Sequence, residues 1–302
     1  MNDAVLEKYR RAGKIAANAR DYGASLVKKG ASYLEVATKI ESKIIECGGG
    51  LAFPVNISTN EIAAHFSPRH DEKNLFFKRG DVVKLDVGAH VDGYIADTAL
   101  TVEVETNNYD DMIKASRKAL GNAIALMKAN CSLSGVGKTI EETITSHGFK
   151  SIDNLTGHSL NRYNLHSGLS VPNVAEKLNR DKLKSGYVLA VEPFATNGAG
   201  HVISGATSNI YRYAESAKYR LVRDPKTRLL AMKINKSFNT LPFAERWCKD
   251  ILPNTDISIS LRKLMMTGCV KQYPQLIDAG KGIVTQAEHT LIITDDGCEV
   301  TT

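Results

Sequence analysis

Five side chains of the kinds that bind metal ions are spread along the chain, each within an apolar or glycine-marked run typical of a strand. Four are carboxylates and one is an imidazole, and they are Asp86, Asp97, His158, Glu192 and Glu288. Such a set suits two divalent ions of borderline hardness that share bridging carboxylates and lower the pKa of a water molecule. The residue types therefore predict a two-metal site that carries out a hydrolysis.

The spacing of Asp86 and Asp97 predicts that both bind the same metal ion. Two β-rich runs flank Asp92-Gly93, a dipeptide that strongly indicates a hairpin of antiparallel strands. If the loop centres on Val91-Asp92 or on Asp92-Gly93, the two acids are directly opposed or diagonal neighbours. In both cases their side chains leave the same face of the sheet, so both can chelate one ion.

Solvent-facing acids on an exposed hairpin are the alternative explanation for this pair. Against it, Asp86 lies in Val-Lys-Leu-Asp-Val-Gly and Asp97 in Tyr-Ile-Ala-Asp-Thr-Ala-Leu, and Glu192 and Glu288 lie in similarly apolar runs. Unpaired carboxylates are unfavourable in such surroundings unless another group compensates their charge. Four acids in this setting favour a shared cation.

Seven ordered segments of the chain resemble the type II methionine aminopeptidases. They are FPVNIS (53–58), AAHFSP (63–68), KLDVGAHVDGYIAD (84–97), GHS (157–159), LHSG (165–168), EPFAT (192–196) and QAEHT (286–290). The resemblance covers essentially the whole chain. It implies the pita-bread fold, an α/β (α+β) architecture with a pseudo-twofold antiparallel sheet flanked by helices. It also implies removal of the initiator methionine from nascent proteins when the second residue is small, and the short N-terminus is similar to the archaeal form.

The resemblance implies a role for each metal ligand. Asp86 holds one ion, Asp97 and Glu288 bridge both, and His158 with Glu192 completes the other, with a bridging hydroxide as the nucleophile. Two divalent ions per chain are thus implied, and Co, Mn, Fe and Zn all accept this ligand set. Glu192 is also the implied acceptor of the water proton.

Two further histidines and an apolar pocket follow from the same resemblance. His65 matches a position that hydrogen-bonds the scissile amide and is alkylated by epoxide inhibitors, and His166 matches one that stabilises the oxyanion. The pocket for the methionine side chain is formed by Phe53, Leu165 and Tyr273. We expect no site role for the remaining histidines, which are His70, His90, His147, His201 and His289.

Helical and strand patterns predict two halves, each a helix pair followed by sheet. Ser32-Tyr-Leu-Glu35 is a capping box that opens a helix, and Gly48-Gly49-Gly50 ends it. The other predicted helices lie at 4–28, 110–129 and 139–147, and further strands lie at 187–196 and 282–294. The stretch 135–139 is similar to the end of a phosphate loop, but Ser132 replaces its first glycine, so no nucleotide site is predicted.

The stretch between Glu192 and Glu288 is much longer than a connection between strands requires. We therefore predict that residues 207–272 form an inserted helical subdomain, which resembles the one that distinguishes type II from type I enzymes. Residues 1–206 and 273–302 then form the catalytic domain. A length of 302 residues is near the upper limit for one hydrophobic core, which favours one domain with an insertion over two equal domains.

Composition indicates a soluble globular protein. Hydrophobic residues make up 43 % and charged residues 24 %, so disorder is not indicated. No stretch is long and apolar enough to span a bilayer, and the N-terminus has no apolar signal region, so a cytoplasmic protein is expected. Five separated cysteines without any Cys-x-x-Cys indicate reduced thiols.

The expected partners are the N-termini of nascent polypeptides, with no membrane, and a monomer is expected. The net charge of +6 is compatible with weak association with an RNA-rich surface such as the ribosome. Charge of this size is more often ordinary solvated surface, and the sequence has no basic motif interleaved with aromatic residues.

Two alternative functions stay open at this point. One is another pita-bread peptidase, such as a prolidase or an X-Pro aminopeptidase, although those usually carry a large N-terminal domain. The other is a metal-free relative that binds RNA or ribosomes, but such proteins lose metal ligands, and all five are present here.

Overall fold

The computed structural model describes residues 1–214, 219–253 and 256–302, which form a mixed α/β structure with antiparallel strand pairing. The helices are α1 (Asp3–Leu26), α2 (Tyr33–Glu46), α3 (Asp110–Leu126), α4 (Leu133–Ser146), α5 (Pro225–Phe238), α6 (Glu245–Ile251) and α7 (Ile257–Met266), with a short 3-10 helix at Tyr219–Leu221. The strands are β1 (Gly50–Leu51), β2 (Asn56–Thr59), β3 (Ile62–Ala64), β4 (Val82–Val91), β5 (Tyr94–Glu103), β6 (Lys150–Ser151), β7 (Thr156–Ser159), β8 (Ser170–Pro172), β9 (Val188–Val191), β10 (Phe194–Thr196), β11 (Val202–Tyr213), β12 (Pro242–Ala244), β13 (Val270–Asp278), β14 (Val284–Gln286), β15 (His289–Ile293) and β16 (Cys298–Val300).

Two helix pairs cover two sheets, as the sequence predicts. Helix α1 packs on β4 and β5, and α2 contacts β1 and β2. In the other half, α3 packs on β10 and β14, and α4 packs on β6 and β8. Small residues make close packing possible, because Ala12, Ala16 and Ala19 of α1 are fully buried at helical spacing. In the second half, Ala115, Ala119 and Ala123 of α3 are also fully buried and lie four residues apart, so they form one face of the helix.

The predicted hairpin of β4 and β5 is confirmed. Its turn residues Asp92 and Gly93 both have positive φ, at 52° and 85°, which is the two-residue type I′ turn that matches the twist of paired strands. Gly88 lies opposite Asp97, and Asp86 lies opposite Ala99. The two acids are therefore diagonal neighbours on one face, in the register centred on Asp92-Gly93.

Two strands that the sequence predicts as continuous are each divided. The 187–196 stretch becomes β9 and β10, which separate at Glu192-Pro193, and the 282–294 stretch becomes β14 and β15, which separate at Ala287-Glu288. Strands β9 and β15 pair with each other in a five-stranded sheet, whereas β10 and β14 pair in a three-stranded one. The chain thus changes sheet at each acid, and Pro193 has no N–H for a continuous ladder.

Helix bounds follow the sequence predictions except in one case. Helix α2 begins after Ser32, whose side chain accepts a hydrogen bond from the Glu35 N–H at 3.5 Å. Helix α4 begins at Leu133 rather than at 139, so the prediction is wrong by six residues. The two glycines in its first turns weaken the helical pattern, but Gly137 is needed because a Cβ there would lie 2.2 Å from the Val174 carbonyl oxygen.

Helices α5, α6 and α7 lie within residues 207–272 and enclose a separate hydrophobic cluster that includes Leu230, Phe243 and Leu264. Strands β11 and β13 cross the two limits of this segment, and β13 continues into pairing with β3. The helices are therefore attached to the rest of the molecule through an extended sheet.

Among the described residues, no helix is both long enough and apolar enough to cross a membrane. The five cysteines are all free thiols.

Candidate metal centre

Asp86 and Asp97 project from the β4–β5 hairpin into a cavity inside the molecule. Asp97 is only 4 % exposed, and Asp86 is partly buried. Thr290 fixes the backbone of Asp97 from the other half of the molecule, since its hydroxyl accepts from the Asp97 N–H at 2.7 Å and donates to the Asp97 carbonyl oxygen at 2.8 Å. The two halves are thus joined at a predicted ligand.

The second half supplies His158 from β7 and the two acids at the strand breaks. His158 Nε2 lies 3.7 Å from Asp97 Oδ2 and 3.7 Å from Glu192 Oε1. One donor atom each from Asp97, His158 and Glu288 all lie within 4.8 Å of one another. Because divalent ions bind such atoms at about 2.0–2.2 Å, opposite ligands are separated by about 4 Å, and the spacing fits an ion at the centre.

Burial, together with repulsion between neighbouring carboxylates at three of the positions, raises the pKa values of the four acids. Burial raises the pKa of Asp86 to about 7, and it raises the pKa of Asp97, Glu192 and Glu288 well above the ordinary range. The neighbouring carboxylates add to the effect at Asp97, Glu192 and Glu288. Burial, and then the His166 imidazole, lower the pKa of His158, so it stays neutral and can ligate through a nitrogen.

Unpaired polar atoms show that the residues fit a metal ion. Asp86 Oδ1 and Asp97 Oδ1 are buried and have no hydrogen-bond partner among the described residues. Such atoms cost free energy unless a cation or donor pairs with them. A divalent ion supplies that pairing, so the donor set is consistent with the metal site that the sequence predicts.

Gln286 orients two of the acids, a role that the sequence did not reveal. Its Nε2 donates to Glu192 Oε2 and to Glu288 Oε2, each at 3.3 Å. Thr101 holds the Gln286 backbone through hydrogen bonds of 2.7 and 2.8 Å. The available signal was its place in the QAEHT segment, two residues before Glu288.

His65 and His166 lie beside the acids. The His166 ring centroid is 4.3 Å from that of His158, and the His65 ring meets Tyr273 edge-to-face at 5.3 Å. Burial, and then His166, lower the pKa of His65 to about 4, and burial, and then Arg212, lower the pKa of His166. Both imidazoles are neutral near pH 7, so each has one donor and one acceptor nitrogen.

His65 has a φ of 64°, a conformation that is uncommon for residues other than glycine and is often found at functional sites. Its Nδ1 is buried and lacks a partner among the described residues. The segment therefore holds this imidazole in a strained position with a nitrogen available for hydrogen bonding.

All ten residues that the sequence assigns to the site line one cavity. The apolar wall consists of Phe53, Leu165 and Tyr273. Gly88 makes room for the Phe53 ring, because a Cβ at Gly88 would lie 2.2 Å from a ring carbon. Four further residues line the cavity and were not assigned to it, and they are Asn56, Ala64, Ile210 and Pro242. Asn56 and Ala64 lie in recognised segments, whereas Ile210 and Pro242 had no motif to mark them.

The other five histidines lie outside this cavity. His201 pairs with Asp153 at 2.6 Å on the surface, and His90 Nδ1 accepts from the Gly93 N–H at 3.1 Å in the hairpin turn. These contacts account for both side chains without a role in the site.

Comparison with known proteins shows the peptidase family to which the chain belongs. The family model of metallopeptidase family M24 matches residues 7–224. A methionine aminopeptidase of Methanocaldococcus jannaschii is 47 % identical over 98 % of this chain and 98 % of its own length, and one of Pyrococcus abyssi is 45 % identical over 98 % and 99 %. The chain therefore belongs to metallopeptidase family M24 and, within it, to the methionine aminopeptidases, as the resemblance implied.

Solved structures show the same fold. A methionine aminopeptidase from Thermotoga maritima has a TM-score of 0.72 at 23 % identity, covering 100 % of this chain and 98 % of that one. A thermophilic Arx1 has a TM-score of 0.84 at 17 % identity, covering 100 % and 91 %. The predicted pita-bread architecture is confirmed, and the two alternative functions lose their support because the close relatives are methionine aminopeptidases.

Proposed function

We propose that this metal-dependent hydrolase removes the initiator methionine from nascent polypeptides and holds two divalent ions to do so. Asp86, Asp97, His158, Glu192 and Glu288 would hold the ions, with the carboxylates of Asp97 and Glu288 as the ligands that the family resemblance implies are shared. The observation that carries the proposal is the convergence of donor atoms from Asp97, His158 and Glu288 within 4.8 Å. Asp86 is the diagonal neighbour of Asp97, and Glu192 is close to His158, so both extend the donor set.

When bound, the ions supply Lewis acidity and lower the pKa of a water molecule so that it can attack at neutral pH. Glu192 would accept the proton of that water and pass it toward the leaving amine, because its carboxylate lies 3.7 Å from His158 at the proposed metal centre. Gln286 keeps the Glu192 carboxylate aligned through the 3.3 Å hydrogen bond.

The two non-ligand histidines stabilise charge in the transition state. His166 lies against His158 and donates to the oxyanion that forms on the scissile carbonyl. His65 hydrogen-bonds the scissile amide and assists departure of its nitrogen. Because both are neutral near pH 7, neither adds a cation that would repel the metal ions.

The apolar wall explains a preference for methionine at the first position. Phe53, Leu165 and Tyr273 bound a narrow cavity suited to an unbranched side chain. A Lys side chain would bury an unpaired ammonium there, and a Val side chain would fill the cavity poorly. The second residue must be small because it passes the metal-lined wall of the enclosed site.

We also propose a domain organisation and an oligomeric state for the enzyme. Residues 207–272 act as an inserted subdomain of a catalytic domain formed by 1–206 and 273–302. The enzyme acts as a monomer on polypeptide N-termini, and its charge of +6 provides at most weak attraction to ribosomes.

A panel of four peptides tests this function. Purified protein is stripped with a chelator, reloaded with Mn²⁺, Co²⁺, Fe²⁺ or Zn²⁺, and incubated with Met-Ala-Ser, Met-Lys-Ser, Lys-Ala-Ser and Ala-Pro-Ser. We expect rapid release of free methionine from Met-Ala-Ser alone, and cleavage of the norleucine analogue, because apolar pockets separate similar side chains by only about 1–3 kcal/mol. Preferential cleavage of Ala-Pro-Ser would instead indicate an X-Pro peptidase, and equal cleavage of all four would reject a methionine pocket.

A further inference from the structure

A second cavity of about 410 Å³ lies behind the metal centre, between α1 and α3. Its lining includes Ala99 of β5, whose backbone pairs with that of Glu288, and Ala287, which precedes Glu288. That volume falls within the range of small-molecule sites in proteins. The cavity shares no lining residue with the metal centre.

The charged groups of this cavity are all basic. Arg20 and Arg117 line it together with His289, and no acid is among its lining residues. The two guanidinium groups carry the permanent positive charge of the cavity. Asp21 pairs with Arg20 at 2.9 Å from the exposed side.

Arg117 has donors to spare. Its recorded hydrogen bond is a long one of 3.4 Å to the Thr101 carbonyl oxygen, and it has no acidic partner among the described residues. A guanidinium has five N–H donors in a planar fork that matches a carboxylate. Arg117 is solvent-exposed and lines the cavity, whose apolar side chains are those of Leu100, Leu120 and Ile124.

Gly121 is an exposed residue that lines the cavity. It lies inside α3, where glycine costs about 1 kcal/mol relative to alanine, yet a Cβ at this position would meet no atom within 4 Å. Packing therefore does not require glycine here. A larger side chain would project into the cavity that Gly121 lines.

Hydrogen bonds connect the cavity to the metal centre. Arg20 Nη1 donates to Thr98 Oγ1 at 2.5 Å, and Thr98 Oγ1 donates to the Glu288 carbonyl oxygen at 2.9 Å. Glu288 N–H donates at 3.0 Å to the carbonyl oxygen of Ala99, which lines the cavity. An anion held by Arg20 would therefore act on the backbone that positions one of the proposed bridging ligands.

We propose that this cavity is an effector site for a small organic carboxylate with an apolar body. The carboxylate pairs with Arg20 and Arg117, and the apolar body packs on Leu100, Leu120 and Ile124. Arg20 is already paired with Asp21, so the bound carboxylate adds a further negative charge near the metal centre and thereby strengthens metal binding. Binding itself is independent of the proposed function, and its test does not use activity.

The probe for the experiment is 4-phenylbutyrate, with 4-phenylbutanol as the uncharged analogue and inorganic phosphate as the anion without an apolar body. Titration calorimetry is performed on metal-free and Mn²⁺-loaded protein, because a carboxylate can also ligate a metal ion. We expect 4-phenylbutyrate to bind both forms and to raise the affinity for Mn²⁺ on the order of 5-fold, with the reciprocal gain in its own affinity.

Variants place the binding in this cavity. Arg117→Gln and Gly121→Leu should each weaken 4-phenylbutyrate binding by about 10-fold or more, on the scale of one lost charge-assisted hydrogen-bond pair. Lys118→Gln removes an exposed charge from the same helix, and Gly121→Ala adds only a methyl group, so both should bind normally. Unchanged binding in Arg117→Gln and Gly121→Leu, equal binding of 4-phenylbutanol or of phosphate, or an affinity for Mn²⁺ that does not change would each overturn the proposal.

Discussion

At the scale of single residues, the candidate metal centre is defined by carboxylates that are buried without basic partners in the part of the chain that the structure describes. Asp86, Asp97, Glu192 and Glu288 converge in a buried cavity, and among the described residues no lysine or arginine forms an ion pair with them. Burial of unpaired carboxylates destabilises a fold. The cluster is therefore arranged for a cation that comes from outside the chain.

Asp97→Ala and Glu288→Ala should prevent recovery of activity after chelation, because each removes a proposed bridging ligand and leaves the other acids uncompensated. The measurement is metal content and methionine release after stripping and reloading with Mn²⁺. Asp92→Asn is the control, since this acid lies in the same hairpin but is exposed at its turn. Full activity of the natural protein in strong chelator, with an empty site by metal analysis, would refute the two-ion proposal.

His65→Ala should lower kcat/KM by roughly 100-fold or more, on the scale of losing one hydrogen-bonding partner in the transition state. Metal content should stay near normal, because His65 is not a ligand. His90→Ala, which removes an imidazole outside the cavity, is the control. An epoxide inhibitor of the fumagillin type should label His65, and peptide mapping that places the label elsewhere would count against this role.

At the scale of elements, the hairpin and helix ends were predictable because their signals are local. Asp92-Gly93 fixes the turn and hence the register of Asp86 with Asp97. The breaks at Glu192 and Glu288 were not predictable from pattern, because an apolar run that leaves one sheet and joins another looks like one long strand. The start of α4 was also not predictable from local pattern. Gly137 weakens the helical signal, but glycine is required there because the Val174 carbonyl oxygen, distant in the sequence, lies against it.

A buried ion pair joins helix α6 to helix α2. Arg246 of α6 pairs with Glu41 of α2, and its Nη1 also donates to Ser67 Oγ at 2.9 Å and to the Pro68 carbonyl oxygen at 2.8 Å. Glu41 also accepts from Trp247 Nε1 at 3.0 Å. These contacts hold the segment that follows His65, so helix α6 supports a proposed catalytic residue.

Arg246→Met should lower the free energy of unfolding by about 3–5 kcal/mol, because it leaves the buried Glu41 carboxylate unpaired. The double variant Arg246→Met/Glu41→Met should lose less than the single variant, since no uncompensated charge remains. Lys263→Met is the matched control, because its pair with Asp224 is half exposed and worth less than about 1 kcal/mol. Chemical denaturation measures all three, and a cost for Arg246→Met no larger than that for Lys263→Met would contradict this role.

At the scale of the whole molecule, the site lies where the two similar halves meet strands β11 and β12. Each half supplies part of the ligand set, and β11 and the start of β12 add Ile210 and Pro242 to the cavity wall. Such convergence depends on contacts between residues far apart in the chain. The resemblance named the ligands and the pocket, but spacing alone joined only Asp86 to Asp97.

The same convergence makes the stability of the metal-free protein depend on pH. Burial raises the pKa of Asp86 from about 4 to about 7, so the folded state binds more protons than the unfolded state in that range. Stability from this group is therefore lost as pH rises. Histidines with lowered pKa values, such as His65, act oppositely, but their effect ends near pH 6.5, where free histidine has titrated.

Above about pH 6.5 the acids should therefore dominate, and the melting temperature of metal-free protein should fall between pH 6.5 and pH 8. Added Mn²⁺ competes with protons for these carboxylates, so the stabilisation it gives should grow over the same range. Asp86→Asn should reduce the fall in metal-free protein, because this variant cannot ionise at that position. Thermal unfolding at fixed ionic strength, with and without chelator, measures both trends, and a metal-free protein that gains stability toward pH 8 would show that the acids are not held in the way their burial indicates.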